Sequence, residues 1–205
     1  MKGLMLFLTL VFSASLQAQE KEMFNISADI NKDGIPDVVK VVNPRDPDKL
    51  QVRESDGYEY DFNQPVLSVY LGQADGTQKL WKRYDHCMPY SDDEFVFIDG
   101  LGVSVSDKGV ITVEFGVFAS AGSYSAPSYK YVFRYQNGDI YLIGEECSSL
   151  ARNTGIQETT SINYLTHKKQ TVLENAFDEK VPKKEKWTKI PVKPLRRLGS
   201  FQMGE

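Results

Sequence analysis

Apolar and polar positions alternate along several stretches of this chain, and a two-residue period is the pattern of half-buried β-strands. In the stretch PVLSVYLG, for example, Leu67, Val69 and Leu71 occupy alternate positions. The stretches VITVEFGVF and YKYVFRYQ are rich in the β-branched and aromatic residues that suit a pleated sheet. No long stretch keeps the period of an amphipathic helix. The pattern therefore predicts a mainly β protein.

Glycine-containing turns separate these stretches and predict hairpins. Gly76, Gly109 and Gly138 each end a short turn between two predicted strands, and Asn-Gly is among the strongest hairpin signals. The stretches SINYLT and QTVLEN form another predicted pair, joined through His167. No unit of roughly 20 to 50 residues recurs often enough to build a propeller or a solenoid. We therefore expect a single antiparallel β-sandwich or barrel-like domain over residues 19–179.

Residues 1–18 have the organisation of a secretory signal peptide. Lys2 is followed by an apolar run and then by small residues up to Ala18. The run is shorter than the ~20 apolar residues of a membrane-spanning helix. We expect a periplasmic or secreted protein without a membrane span.

Charge is distributed unevenly along the chain. Residues 19–179 hold 26 acidic and 15 basic side chains, whereas residues 180–205 form a basic, proline-containing segment that we expect to be extended. An acidic domain would repel the phosphates of a nucleic acid, so we expect no such partner. It suits a cationic partner or a metal ion, and solubility alone explains it equally well.

Two cysteines, Cys87 and Cys147, are present. An exported protein with two distant cysteines is expected to join them in a disulfide. Two free thiols are the alternative, because a sequence does not show whether the two sulfur atoms meet.

The clearest chemical motif is a short loop with oxygen-bearing side chains at positions one, three, five and nine. A glycine at position six permits a sharp turn, and a main-chain carbonyl occupies position seven. Hard cations such as calcium prefer these ligands, and converging carboxylates would repel one another without a cation. An Asp-Gly turn without metal is the alternative. The predicted ligands are Asp29, Asn31, Asp33, the carbonyl of Ile35, and Asp37.

The residues around this loop identify its type. Lys40 stands where an EF-hand needs a bidentate glutamate, and a strand-like stretch follows where an EF-hand needs a helix. The loop, with LSVYLGQADGT after it, resembles the calcium loop of FG-GAP or VCBS-type repeats over residues 29–80. Only one copy is present, so the resemblance implies a calcium loop mounted on a different β framework.

The predicted signal peptide, the calcium loop, GSY, YKYVFRYQNGDIYLIG and SINYLT together resemble periplasmic lysozyme inhibitors of the PliI type and related immunity proteins. In that family a Ser-Gly-x-Tyr loop enters the lysozyme cleft. Gly122 and Tyr124 match this pattern, Ala121 replaces its serine, and Ser120 or Ser123 is the candidate substitute. The resemblance implies inhibition of a lysozyme-like hydrolase through the stretch 120–128.

Two other functions remain open at this stage. A calcium-dependent cell-surface or glycan-binding module would use the same calcium loop. A glycosidase would need a carboxylate pair, for which Asp92, Asp93 and Glu94, or Glu145 and Glu146, are candidates. Adjacent acidic residues are common on solvated loops, and no nucleophile elbow or phosphate-binding glycine loop is present. We therefore expect a binding protein and not an enzyme.

Overall fold

The computed structural model describes residues 20–204, so the predicted signal peptide lies outside the described residues. No helix in the described range is long and apolar enough to cross a membrane. A short 3-10 turn spans Pro47–Lys49. The strands are β1 (Lys21–Ala28), β2 (Asp37–Asn43), β3 (Leu50–Val52), β4 (Glu59–Asp61), β5 (Val66–Gly72), β6 (Gln78–Tyr84), β7 (Val96–Val105), β8 (Val110–Ala119), β9 (Ser125–Gln136), β10 (Asp139–Ala151), β11 (Ile156–Asn163), β12 (Lys168–Asn175) and β13 (Lys184–Lys189).

These strands form two large sheets and one small hairpin. One sheet has four strands in the order β1-β2-β5-β6, and the other has seven in the order β13-β12-β11-β10-β9-β8-β7. Strands β3 and β4 pair with each other as a separate hairpin. Every strand pairing is antiparallel. The predicted mainly β, antiparallel, sandwich-like architecture is confirmed.

The core lies between the two large sheets, and both contribute alternate side chains to it. Val39 and Leu67 from the four-stranded sheet and Val113 and Phe133 from the seven-stranded sheet are each 0% exposed and belong to one cluster. Burial alternates along β8, as the two-residue period of its sequence predicts. Strands β2 and β5 are instead buried on both faces over most of their length.

The predicted hairpin turns are confirmed by their backbone angles. Gly76 and Gly109 have φ values of 81° and 68°, in the left-handed region that glycine enters without strain. Asn137 and Gly138 both have positive φ, as a type I′ turn between β9 and β10 requires. The turn between β11 and β12 includes His167, with φ of 54°.

The C-terminal segment is part of the domain, so the predicted boundary at residue 179 is wrong. Strand β13 pairs with β12 at the edge of the seven-stranded sheet. Beyond it, Leu198 and Met203 are 4% and 1% exposed within the core. The basic residues in this segment obscured its apolar contacts in the sequence.

An ion-pair cluster joins the two large sheets to this segment. The Nζ atom of Lys82, on β6, lies 2.6 Å from Oδ1 of Asp139, on β10. The Nε atom of Arg197 lies 3.7 Å from Oδ2 of the same carboxylate. Burial opposes ionisation of Asp139, but hydrogen bonds from Lys82 and from the amide of Ile140 outweigh it and lower the pKa of this carboxyl.

The predicted disulfide is absent, because Cys87 and Cys147 are both free. Cys87 is 1% exposed in the core, where its carbonyl accepts a hydrogen bond from the amide of Met203. Cys147 lies on β10 in the seven-stranded sheet and is half-buried. Burial raises the pKa of the Cys87 thiol to about 12 and also raises that of Cys147. The sequence showed the number of thiols but not their separate places in the fold.

Candidate functional site

The loop predicted to bind calcium joins β1 to β2 and is held by its own side chains. Oδ1 and Oδ2 of Asp29 accept hydrogen bonds from the amides of Lys32 and Gly34, at 2.7 and 3.1 Å. Lys32 and Gly34 have φ values of 66° and 86°. The first ligand position therefore closes the turn, and the glycine at position six allows the left-handed backbone there.

The next two predicted ligands continue this pattern. Oδ1 of Asn31 accepts from the amide of Asp33 at 3.0 Å, and Oδ1 of Asp33 accepts from the amide of Ile35 at 2.8 Å. The amide nitrogen of the Asn31 side chain also donates to Oδ2 of Asp33, at 2.8 Å. Three polar side chains at alternate positions thus give the loop its shape.

Asp37 differs from the other predicted ligands because it is 0% exposed. Its Oδ2 accepts from the amides of Ile30 and Asn31 at 2.9 and 3.3 Å, and its Oδ1 accepts from the amide of Gly72 at 2.9 Å. A Cβ on Gly72 would lie 2.4 Å from the carbonyl oxygen of Pro36, so only glycine fits there. This carboxylate therefore ties the loop to the end of β5.

The loop also rests on the turn between β7 and β8. The Nζ atom of Lys32 donates to the carbonyl of Asp107 at 2.9 Å. A Cβ on Gly109 would lie 2.7 Å from the carbonyl oxygen of Asp29 and 2.9 Å from that of Ile30. The hairpin glycine thus has a second role that the sequence did not reveal, because it lets the two loops touch.

The donor set of the loop determines how it could hold a cation. Within residues 20–204, no three Asp, Glu, His or Cys side chains are grouped closely enough to hold a metal on their own. An ion here would need the amide oxygen of Asn31 and the carbonyl of Ile35 beside the carboxylates of Asp29 and Asp33. Such mixed oxygen donors suit calcium. Asp37 is already occupied by three amides, so we assign it first to holding the loop.

The second predicted site is the connection between β8 and β9, and it is shorter than the predicted stretch 120–128. Strand β9 begins at Ser125, so the connection has only the residues Ser120 to Tyr124. Pro127 lies inside β9, just beyond the last β8 pairing at Ser128. Its missing N–H is tolerated there because the β8 ladder has ended.

Arg152, from the turn after β10, fixes this loop in place. Its Nη2 atom donates to the carbonyls of Ser123 and Ala119 at 2.6 and 3.1 Å. Its backbone amide donates to the carbonyl of Tyr124 at 2.9 Å. The guanidinium carbon lies 4.9 Å from the ring centre of Phe118. One side chain thus holds both ends of the loop and covers an aromatic ring. No sequence motif marked it.

The loop presents Tyr124 to solvent, with 71% of the residue exposed. A Cβ on Gly122 would meet nothing within 4 Å, so space does not require a glycine there. Its φ of 76° does, because this left-handed backbone conformation favours glycine. The hydroxyl of Ser123 accepts from the amide of Ser125 at 3.0 Å, and that of Ser120 donates to the carbonyl of Phe95 at 3.3 Å. Both candidate serines therefore contribute to the loop's shape, whereas Tyr124 projects from it.

Glu145 and Glu146, both on β10, do not form the carboxylate pair of a glycosidase. Glu145 and Glu146 are neighbours in a strand, so their side chains point to opposite faces of the sheet. Glu145 accepts from the hydroxyl of Tyr164 at 2.6 Å and pairs with Arg196 at 2.7 Å. Glu146 accepts from the hydroxyl of Ser161 at 2.6 Å. Both carboxylates stabilise the sheet.

Comparisons with protein-family models, with curated proteins and with solved structures found no match.

Proposed function

We propose that this chain is an exported, calcium-binding protein that binds and inhibits a lysozyme-like cell-wall hydrolase through the loop 120–124. The observation that carries the proposal is the loop itself. Tyr124 is largely exposed at its end, while Arg152 holds the carbonyl of Ala119, just before the loop, and that of Ser123, just before Tyr124. An exposed aromatic residue on a fixed loop is a common anchor of protein interfaces.

The fixed loop has an energetic advantage in binding. Ordering a flexible segment on association costs free energy, and a loop already held by hydrogen bonds avoids much of that cost. Tyrosine offers a rigid ring with a hydrogen-bonding end, which suits an enzyme cleft that normally holds sugars. These features support Tyr124 as the chief contact, with Gly122 leaving space around it.

Calcium, in this proposal, stabilises the domain and takes no part in the contact. Asp29, Asn31, Asp33 and the carbonyl of Ile35 are the proposed ligands, and the ion would offset the repulsion between the carboxylates. The calcium loop lies against the turn before β8, whereas the inhibitory loop follows the end of β8. Ten residues of strand separate the two loops, a span of about 30 Å.

Inhibition of a panel of lysozymes and related muramidases, followed by cell-wall lysis, tests the proposal. Losing a central aromatic anchor costs about 2 kcal/mol or more, so Tyr124→Ala should weaken inhibition by roughly thirtyfold. Trp187→Ala is a matched control, because Trp187 is 58% exposed on the edge strand β13. The proposal fails if the wild-type protein inhibits no member of the panel, or if both substitutions have the same effect.

A second candidate function, a glycan-binding module, is favoured by one groove. It lies between the β3–β4 hairpin and β7, has a volume of about 280 Å³, and is lined by Tyr58, Tyr60, Tyr90 and Phe97 among others. Aromatic walls with a few polar groups suit sugar rings. Binding to immobilised polysaccharide without any lysozyme, lost in Tyr90→Ala and kept in Tyr124→Ala, would favour this function over the inhibitor.

A further inference from the structure

Two more exposed aromatic residues lie beside the loop 120–124. Phe95 is 51% exposed and Phe118 is 43% exposed. Phe118 pairs with Phe97 across β7 and β8. Phe95 directly precedes β7, two positions before Phe97. The backbone amide of Ser120 donates to the carbonyl of Phe95 at 2.8 Å. The segment that carries Phe95 is therefore attached directly to the proposed inhibitory loop.

Three acidic residues, Asp92, Asp93 and Glu94, precede Phe95 and are all exposed. Among the ion pairs within residues 20–204, none involves these three. The segment is nevertheless ordered, because Oδ1 of Asp93 accepts from the amide of Phe95 at 2.8 Å. Three acidic side chains that form no salt bridge thus lie next to the exposed Phe95.

We propose that residues 92–95 form the second half of the partner-binding surface, and that the partner presents a basic surface to them. This inference rests on the proposed function and adds a second contact segment and a charge to it. Protein interfaces combine aromatic anchors at the centre with a polar rim. Phe95 and Phe118 supply apolar area beside Tyr124, and the acidic residues supply the rim. A second copy of the chain would bring the same three acidic residues and is disfavoured by repulsion.

The test measures association and dissociation rates with the lysozyme that the wild-type protein inhibits best. Phe95→Ala should weaken binding by about tenfold or more, mainly through faster dissociation. Neutralising the rim with Asp92→Asn, Asp93→Asn and Glu94→Gln should slow association by about tenfold at low salt and change dissociation little. In the Asp93→Asn variant, the side-chain oxygen still accepts the hydrogen bond from the backbone amide of Phe95.

A matched control neutralises three acidic residues near the opposite edge of the sheet, Asp178→Asn, Glu179→Gln and Glu185→Gln.

The outcomes separate this inference from the proposed function. If Tyr124→Ala weakens binding while Phe95→Ala and the neutralised rim leave both rates unchanged, the inference is wrong and the proposed function stands. An equal loss of association rate in the control triple would also overturn it, because the effect would then come from total charge. Concentration-dependent self-association that Phe95→Ala abolishes would assign the patch to a second copy instead. If the wild-type protein binds no lysozyme, the proposed function itself is wrong. Equal melting temperatures of all variants exclude misfolding as the cause.

Discussion

The buried carboxylate of Asp37 gives the sharpest test of how the calcium loop is held. Its two oxygens accept three amide hydrogens, from Ile30, Asn31 and Gly72. Asp37→Asn keeps the volume of the side chain but leaves only one accepting oxygen. If that oxygen serves Ile30 and Asn31, the new NH₂ group faces the amide of Gly72, and two donors then oppose each other.

The expected cost follows from these contacts. An unsatisfied buried donor costs roughly 1–3 kcal/mol, and a hydrogen bond to a charged acceptor is worth about 1.5–3 kcal/mol. We therefore expect Asp37→Asn to lower the free energy of unfolding by about 3 kcal/mol. In a domain of this size that corresponds to a fall of about 6–12 °C in the melting temperature.

Thermal unfolding in excess EDTA is the appropriate assay, because it removes any contribution from bound calcium. Asp33→Asn is the matched control. It makes the same chemical change on the same loop, but the hydrogen bonds of Asp33 with the amide of Ile35 and with the side chain of Asn31 are both exposed. The amide oxygen of the variant still accepts from Ile35. We expect a change within about 0.5 kcal/mol for the control. If Asp37→Asn also unfolds like the wild type in EDTA, the structural role assigned to this carboxylate is wrong.

Three further predictions concern the metal, the pH dependence and the thiols. Calcium at a hundredfold its dissociation constant should stabilise the wild type by roughly 2.7 kcal/mol. The double variant Asp29→Ala, Asp33→Ala should have the same melting temperature with calcium and with EDTA, and a calcium-dependent melting temperature in that variant would refute the site. The pKa of Asp139 is lowered in the folded state, so its ion pairs stabilise the fold above the unfolded pKa of about 3.9, and this stabilisation is lost as pH falls through the lower folded pKa. Asp139→Asn should therefore destabilise the protein at pH 7 and much less at pH 2. An equal loss of stability at both pH values would contradict the ionic role. Iodoacetamide should label Cys147 slowly and Cys87 only after unfolding, with two labels under non-reducing conditions; mass spectrometry showing no labels on the unfolded protein would establish a disulfide.

The hairpins could be predicted because their determinants are local. Asn137 and Gly138 require positive φ at two adjacent positions, and only a few residue types accept this without strain. Strand β13 gave no such signal, since all of its residues are exposed and its sequence KEKWTK lacks alternating apolar positions. Pairing with β12 determines where β13 lies. That pairing leaves no periodic pattern of apolar residues in the sequence of β13.

The candidate sites were predicted only in part, for the same reason. The short-range hydrogen bonds of Asp29, Asn31 and Asp33 follow from their spacing along one loop. The role of Asp37 depends on Gly72, which is 35 residues away in the chain. Arg152 reaches Ser123 across 29 positions. Contacts of that range depend on how the sheets close, so inspection of one sequence does not reveal them.

Strand β8 connects the two proposed sites and limits how they can affect each other. The turn before it supports the calcium loop, and the loop after it carries Tyr124. The strand lies between β7 and β9 in the seven-stranded sheet, and Val113 and Phe115 along it are buried in the core. Because this strand is paired on both edges and packed into the core, we expect a change at one end to leave the other end in place. Calcium should therefore raise the fraction of folded protein without changing the association rate of the folded form with its partner. An association rate that depends on calcium at temperatures well below unfolding would show that the two loops are coupled.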